Sequence, residues 1–480
     1  MRISPTDLAI LVVYLAGITA FGARFRRSQK NLRDYFLGGR SAPWWALACS
    51  IVATETSTLT IISTPGIAFA GNLGFLQLAL GYLVARVILC VVLVPQYFQG
   101  EFYTAYQLLQ KRFGARMKSA AATVFLVTRA LAEGVRISAI GKVVSVAFGT
   151  GEKVSILMVA MLTLAYTFEG GMQAVIWTDV IQFGLYLSGS VTAFVILLHK
   201  IPSGWLEVTQ AAAAAGGKLT VFDFTFSLTR SYTFWSGLLG GTFLTMASHG
   251  TDHTMVQRLL AARNERDSKT ALLASGVIVF VQFALFLVIG VMLFVYTQHS
   301  ALVAPGGDPD KRFPAFIVQD MPAGLKGLVL ASIFAIAMSN ASGSLNSLAS
   351  SSMMDLGGSR NQAAQPLKRS RELTLVWGVV LALLGLIRWG PVLVAGLTIA
   401  SITYGAMLGV FLLGTWNPRA NERSALAGFA AGLASMIAIK WFTPLAWTWY
   451  VLVGTLITFS VGSLVSLTSA ETVQEKRGLN

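Results

Sequence analysis

Apolar runs, each about the 20 residues a helix needs to cross a bilayer, recur along nearly the whole chain. Thirteen are read, at about 6–24, 42–70, 75–98, 117–148, 153–170, 172–198, 231–252, 269–297, 323–354, 372–388, 391–415, 424–440 and 446–467. Charged residues make up only 12% of the 480 positions and apolar types 55%, where a soluble domain carries about 25% charge. Such a surface needs lipid as its solvent for much of its area. In hydrocarbon a helix satisfies its own backbone. The expectation is therefore a single all-α membrane domain over 1–480 with about 13 transmembrane helices.

The net charge of +15 would suggest nucleic acid on a soluble protein. Here the basic residues flank apolar runs and set membrane orientation instead, so no nucleic-acid partner is expected. Arg24, Arg26, Arg27, Lys30 and Arg33 follow the first run, whereas a signal peptide is basic before its own. That places the N-terminus outside and the C-terminus in the cytoplasm of a multi-pass cell-membrane protein. Cys49 and Cys90 lie in apolar runs with no disulfide or metal-ligand spacing. His249 and His253 are four apart but lack the surrounding residues of a metalloprotease. No enzyme activity and no cofactor other than a transported ion are expected.

Spans two to six (42–198) and seven to eleven (231–415) form two groups of five. An odd number gives them opposite orientations, the topology of an inverted repeat whose site lies at broken helices near the midplane. The run 6–24 and the last two spans (424–467) are then peripheral. Break signals fall in the leading span of each group. The first holds Thr54-Glu55-Thr56-Ser57-Thr58 and then Pro65-Gly66; the second holds Gly237, Gly240 and Gly241, then Ser248-His249-Gly250-Thr251-Asp252. Polar backbone at membrane depth is tolerated where it lines a cavity. The glycines are equally read as a close helix-packing face. Outside, Trp205–Ala215 reads as an interfacial helix and Pro305-Gly306-Gly307 as a turn.

At these residues the chain resembles the sodium/solute symporter family. The likeness runs through Asp34-Tyr35-Phe36-Leu37-Gly38-Gly39-Arg40 with Trp44-Trp45, Ala53-Thr54-Glu55-Thr56-Ser57 and Gly170-Gly171 to Trp177-Thr178-Asp179. It continues in Gly250-Thr251-Asp252 before Val256-Gln257-Arg258, and in Gly324-Leu325-Lys326-Gly327 leading to Leu345-Asn346-Ser347. The resemblance implies a LeuT-like 5+5 inverted repeat with a discontinuous first helix in each half. It implies a sodium site made by Cys49, Val52, Ile336, Ser339 and Asn340, the last departing from the usual Ser or Thr. It also implies a second sodium site, or an ion exit path, at Asp179, Ser339 and Ser342, although Gly343 stands where a further Ser is expected.

For the solute, the candidates are Thr54, Glu55, Thr56, Thr58, Gln77, Arg136, Thr245 and His249. Arg129, Glu133 and Arg136 share one helix face. Either Glu133 pairs with one Arg and Arg136 binds a substrate carboxylate, or the three close into an ion-pair cluster. Arg86 and Glu55 are also suited to pair. The expected function is sodium-coupled import of a small, carboxylate-bearing organic solute by alternating access, with a monomer sufficient. Proton coupling, a neutral sugar, polyol or amino acid as cargo, and a channel or membrane sensor are the alternatives.

Overall fold

The computed structural model describes residues 4–25, 31–300, 312–356, 366–387, 389 and 392–477. The turn at Pro305-Gly306-Gly307 and the basic residues Arg26, Arg27 and Lys30 lie outside them. Among the described residues the regular structure is helical: α1 (Pro5–Ala23), α2 (Leu32–Leu37), α3 (Trp44–Glu55), α4 (Thr58–Ala70), α5 (Leu76–Val92), α6 (Val94–Tyr97), α7 (Tyr106–Phe113), α8 (Ala115–Phe148) and α9 (Glu152–Lys200). Then come α10 (Trp205–Ala214), α11 (Phe234–Gly250), α12 (His253–Leu260), α13 (Glu265–His299), α14 (Arg312–Asp320), α15 (Leu325–Ser351), α16 (Pro366–Gly385), α17 (Val392–Trp416), α18 (Glu422–Phe442) and α19 (Tyr450–Arg477). Among the described residues seven helices are long and apolar enough to cross a bilayer unaided, and eight if α3 and α4 count as one bent span.

Local chemistry fixes the boundaries. Ser4 caps α1 and exchanges bonds with Asp7, whose Oδ1 also accepts the Gly324 and Gly327 N–H groups at 2.7 and 2.8 Å. Thr233 with Ser236, Asn264 and Asn421 with Ser424 cap α11, α13 and α18. Within α9, Gly171 adopts φ 56° and ψ −167°, which a Cβ would oppose. It turns one span into the next where 153–170 and 172–198 were read as separate runs.

The helices differ sharply in burial. In α15 94% of the apolar window is buried, against 28% for α18 and 33% for Trp447–Thr468. So α15 is the core, while α18 and α19 pack on α17 at the perimeter. The two groups interlock reciprocally. The second helix of the first group, α5, packs on the first of the second, α11; the first of the first, α3 and α4, packs on the second of the second, α13. The same exchange pairs α9 with α15 and α8 with α17.

Gly237, Gly240 and Gly241 do not break their helix: α11 is continuous through them, and the interruption falls at Thr251–Asp252. Their role is close approach. A Cβ on Gly81 would meet the Leu238 carbonyl at 2.5 Å, and one on Gly237 the Gln77 backbone at 2.8 Å. Small residues here let two backbones touch.

Candidate functional site

The first break lies between α3 and α4, which are bent by 60°. Thr56 leaves the helix (φ −73°, ψ 99°), and Ser57 starts the next one, its side chain exchanging bonds with Thr60. Polar, short side chains that compete with the backbone are what this run supplies. On the facing helix α15, Ile336, Ser339 and Asn340 are all buried. The Asn340 amide nitrogen donates to the carbonyls of Thr56 (2.8 Å), Ile336 (3.0 Å) and Ala53 (3.4 Å). The carbonyls brought to α15 are thus those of Ala53 and Thr56, one turn beyond the expected Cys49 and Val52. The Val52 carbonyl accepts the Thr56 N–H at 2.8 Å, and Cys49 lies inside α3, where the helical ladder uses its carbonyl.

Asp179, on the later half of α9, is buried beside this break. Its Oδ1 accepts the Ser339 hydroxyl at 2.6 Å, and its Oδ2 accepts Ser50 at 2.5 Å and the Arg258 guanidinium at 3.0 Å. Arg258, on α12, also donates to Ser50 at 2.9 Å. Ser342 donates to the Ser339 carbonyl at 3.0 Å, bonding back onto its own helix. Asp179, Ser339 and Ser342 therefore adjoin. Ser50 and Arg258 were not anticipated: one is a small hydroxyl in an apolar run, the other a basic residue next to a loop.

The second break puts Asp252 at the head of α12, where Oδ1 accepts the Thr254 N–H at 2.8 Å and Oδ2 the Tyr404 hydroxyl at 2.7 Å. Between the two breaks lies a cavity of about 150 Å³. Of the residues read as solute candidates, Thr54, Glu55, Arg136, Thr245 and His249 line it, with Arg129, Asp252, Tyr404, Tyr82 and Phe283. Thr56 and Gln77 do not. The Thr56 hydroxyl accepts Gln282 at 2.7 Å, and Gln77 binds the loop before α11 through the Asp223 N–H at 3.0 Å. The side chain of Thr58 lies outside those described.

Charges in the cavity wall are paired. Glu55 bonds Arg86, and His249 sits 3.4 Å from the same carboxylate and 3.2 Å from the guanidinium. Arg136, not Arg129, is the close partner of Glu133, at 3.1 Å. Arg129 reaches Ser344 at 2.9 Å and approaches Asp252 at 3.8 Å. Arg129 Nη2 and Arg136 Nε remain buried without partners among the described residues.

Two interrupted helices, one from each group, face one cavity lined by polar and aromatic side chains, the arrangement of a secondary transporter. A family model of sodium:solute symporters matches residues 35–432, and the chain belongs to that family. Among its relatives, the sodium/sialic acid symporter NanT of Aliivibrio fischeri is 31% identical over 95% of this chain and 92% of its own. The sodium/sialic acid symporter SiaT of Proteus mirabilis is 29% identical over 96% and 94%, and the human sodium/iodide cotransporter 30% over 89% and 68%. A substrate-bound outward-open structure of a Na+-coupled sialic acid symporter superimposes with a TM-score of 0.90 at 28% identity, covering 97% of this chain and 98% of that one. A nucleobase-cation-symport-1 family transporter in a closed conformation shares the fold at a TM-score of 0.61 and 12% identity, covering 92% and 96%.

Proposed function

We propose that this chain imports a small carboxylate-bearing solute together with sodium, by alternating access to the cavity where two inverted repeats (42–198 and 231–415) interlock. It does so from thirteen crossings with the N-terminus outside. Reciprocal packing of the two groups supports the repeats. The observation that carries the cargo class is the pair of guanidiniums at one cavity, each keeping a buried N–H without a partner among the described residues. A buried donor left unbonded is costly, and a planar carboxylate answers both.

Charge balance connects cargo to ion. Arg86, Arg129 and Arg136 face Glu55, Glu133 and Asp252, three against three, counting His249 as neutral. A carboxylate loaded alone would leave a buried negative charge, which low dielectric penalises. A sodium ion loaded with it restores neutrality. For the ion we propose the region of Asp179, Ser339 and Ser342. There a cation competes with Arg258 for one carboxylate, which ties ion occupancy to the second broken helix.

The test is uptake into proteoliposomes under a sodium gradient, with sialic acids and short monocarboxylates as cargo, since relatives carry these. Arg136→Ala should lower carboxylate uptake at least about tenfold, the scale of one charge-assisted bond of 1.5–3 kcal/mol. Uptake driven by a pH gradient and indifferent to sodium would replace this reading with proton symport. Equal uptake of a neutral polyol would remove the carboxylate from it.

A further inference from the structure

We infer that the side-chain amide of Asn340 occupies a cation-binding centre, so that at this one point the chain serves as its own ion. The inference rests on the sodium-symport reading above.

Helix breaks make cation sites by releasing carbonyl oxygens from the ladder. Two are released here. The Ala53 carbonyl would ordinarily accept the Ser57 N–H, but that donor turns to the Thr60 hydroxyl at 3.2 Å. The Thr56 carbonyl would accept the Thr60 N–H, which goes instead to the Ser57 carbonyl (2.9 Å) and hydroxyl (3.3 Å). The cap that starts α4 thus leaves two oxygens at the C-terminal, negative end of α3. Ile336 on α15 adds a third.

All three oxygens converge on one atom, the Asn340 Nδ2, at 2.8–3.4 Å. A primary amide has two hydrogens to offer three acceptors. Oxygens from separate elements crowding one electropositive centre is the arrangement a hard cation prefers, though a cation draws its oxygens closer, to about 2.3–2.6 Å for calcium. The orientation of the amide is fixed by the same contacts. Turned over, Oδ1 would face three oxygens with no hydrogen between them. As it stands, Oδ1 is buried and has no partner among the described residues, so the amide leaves its own acceptor unanswered in order to keep its donors on the three carbonyls. The two amide hydrogens carry part of a positive charge at the centre and cannot leave it during transport.

The experiment counts radioactive sodium bound at saturation per purified full-length chain, in wild type, Asn340→Ser and Asn340→Asp. Both substitutions remove the two amide hydrogens, and Asp does so at constant shape, so it decides the matter if the Ser variant does not fold. The expected result is one more sodium per chain in the variants than in wild type, with the melting temperature of Asn340→Asp falling in choline and recovering in sodium. An equal or lower sodium count in the variants overturns the inference. Sodium-driven uptake by the wild type is measured separately. Its failure would sink the symport reading, while the difference in bound sodium between wild type and variants still decides the role of the amide.

Discussion

Arg258 is fully buried and is held by Asp179 and Ser50. Removing one member of a buried pair leaves an uncompensated charge, at a cost of about 3–5 kcal/mol. Asp179→Asn should therefore lower the melting temperature markedly, and a second change, Arg258→Met, should recover most of that loss without recovering sodium-dependent uptake. If stability and uptake return together, Asp179 holds the structure and nothing more. Ser339→Ala should leave the fold standing and raise the sodium concentration needed for half-maximal uptake, since it removes one hydroxyl from the same carboxylate. Residues of this kind were unevenly legible. Thr54–Ser57 announced itself because polar side chains are costly at membrane depth. The carbonyls of Ala53 and Thr56, which meet Asn340, went unread because a backbone oxygen has no identity in the sequence. Arg258 was hidden for a different reason: a basic residue beside a loop is normally an orientation signal, and only the fold shows it turned inward.

At the scale of elements, the interruption between α3 and α4 depends on a cap. Ser57→Ala removes the side-chain half of the cap on the Thr60 N–H, leaving it the Ser57 carbonyl, and should cost about 1 kcal/mol, read as a lower melting temperature with the sodium dependence of uptake altered as well. The loop before α11 is tied down by Asp223, whose N–H meets Gln77 and whose carbonyl accepts the Phe234 N–H at 2.7 Å. The hydroxyl and amide of Thr225, with Arg230 beside them, hold the Asp223 carboxyl below the usual carboxylate range. A depressed folded value means that this contribution is complete above the unfolded value of about 3.9 and is lost only as pH falls through the lower folded one. Amide exchange over 223–234, corrected for intrinsic rates, should stay slow at about pH 5 and quicken only in stronger acid; Asp223→Asn should abolish that acid response. The helices themselves were readable because apolar length is a strong signal. The glycines of α11 were not decidable from sequence, since a break and a close packing face demand the same small residues.

For the whole molecule, the balanced charges of the cavity make a prediction about electrical behaviour. If one carboxylate travels with one sodium, net charge movement is zero, and an imposed membrane potential should leave initial uptake rates unchanged. Stimulation by an inside-negative potential would reveal more than one sodium for each carboxylate. The family was legible in the order of the motifs, because each motif is tied to a break or a turn that the fold requires. The reciprocal packing of the groups was not, because contacts between distant helices leave no periodic trace in either. Where α5 meets α11, main chain lies directly on main chain, with no side chains between to act as a cushion. Such a seam has no room to shear: the two helices ride as one strut through every turnover, and a disulfide stapled across them should leave transport intact while staples placed elsewhere in the wall stall it.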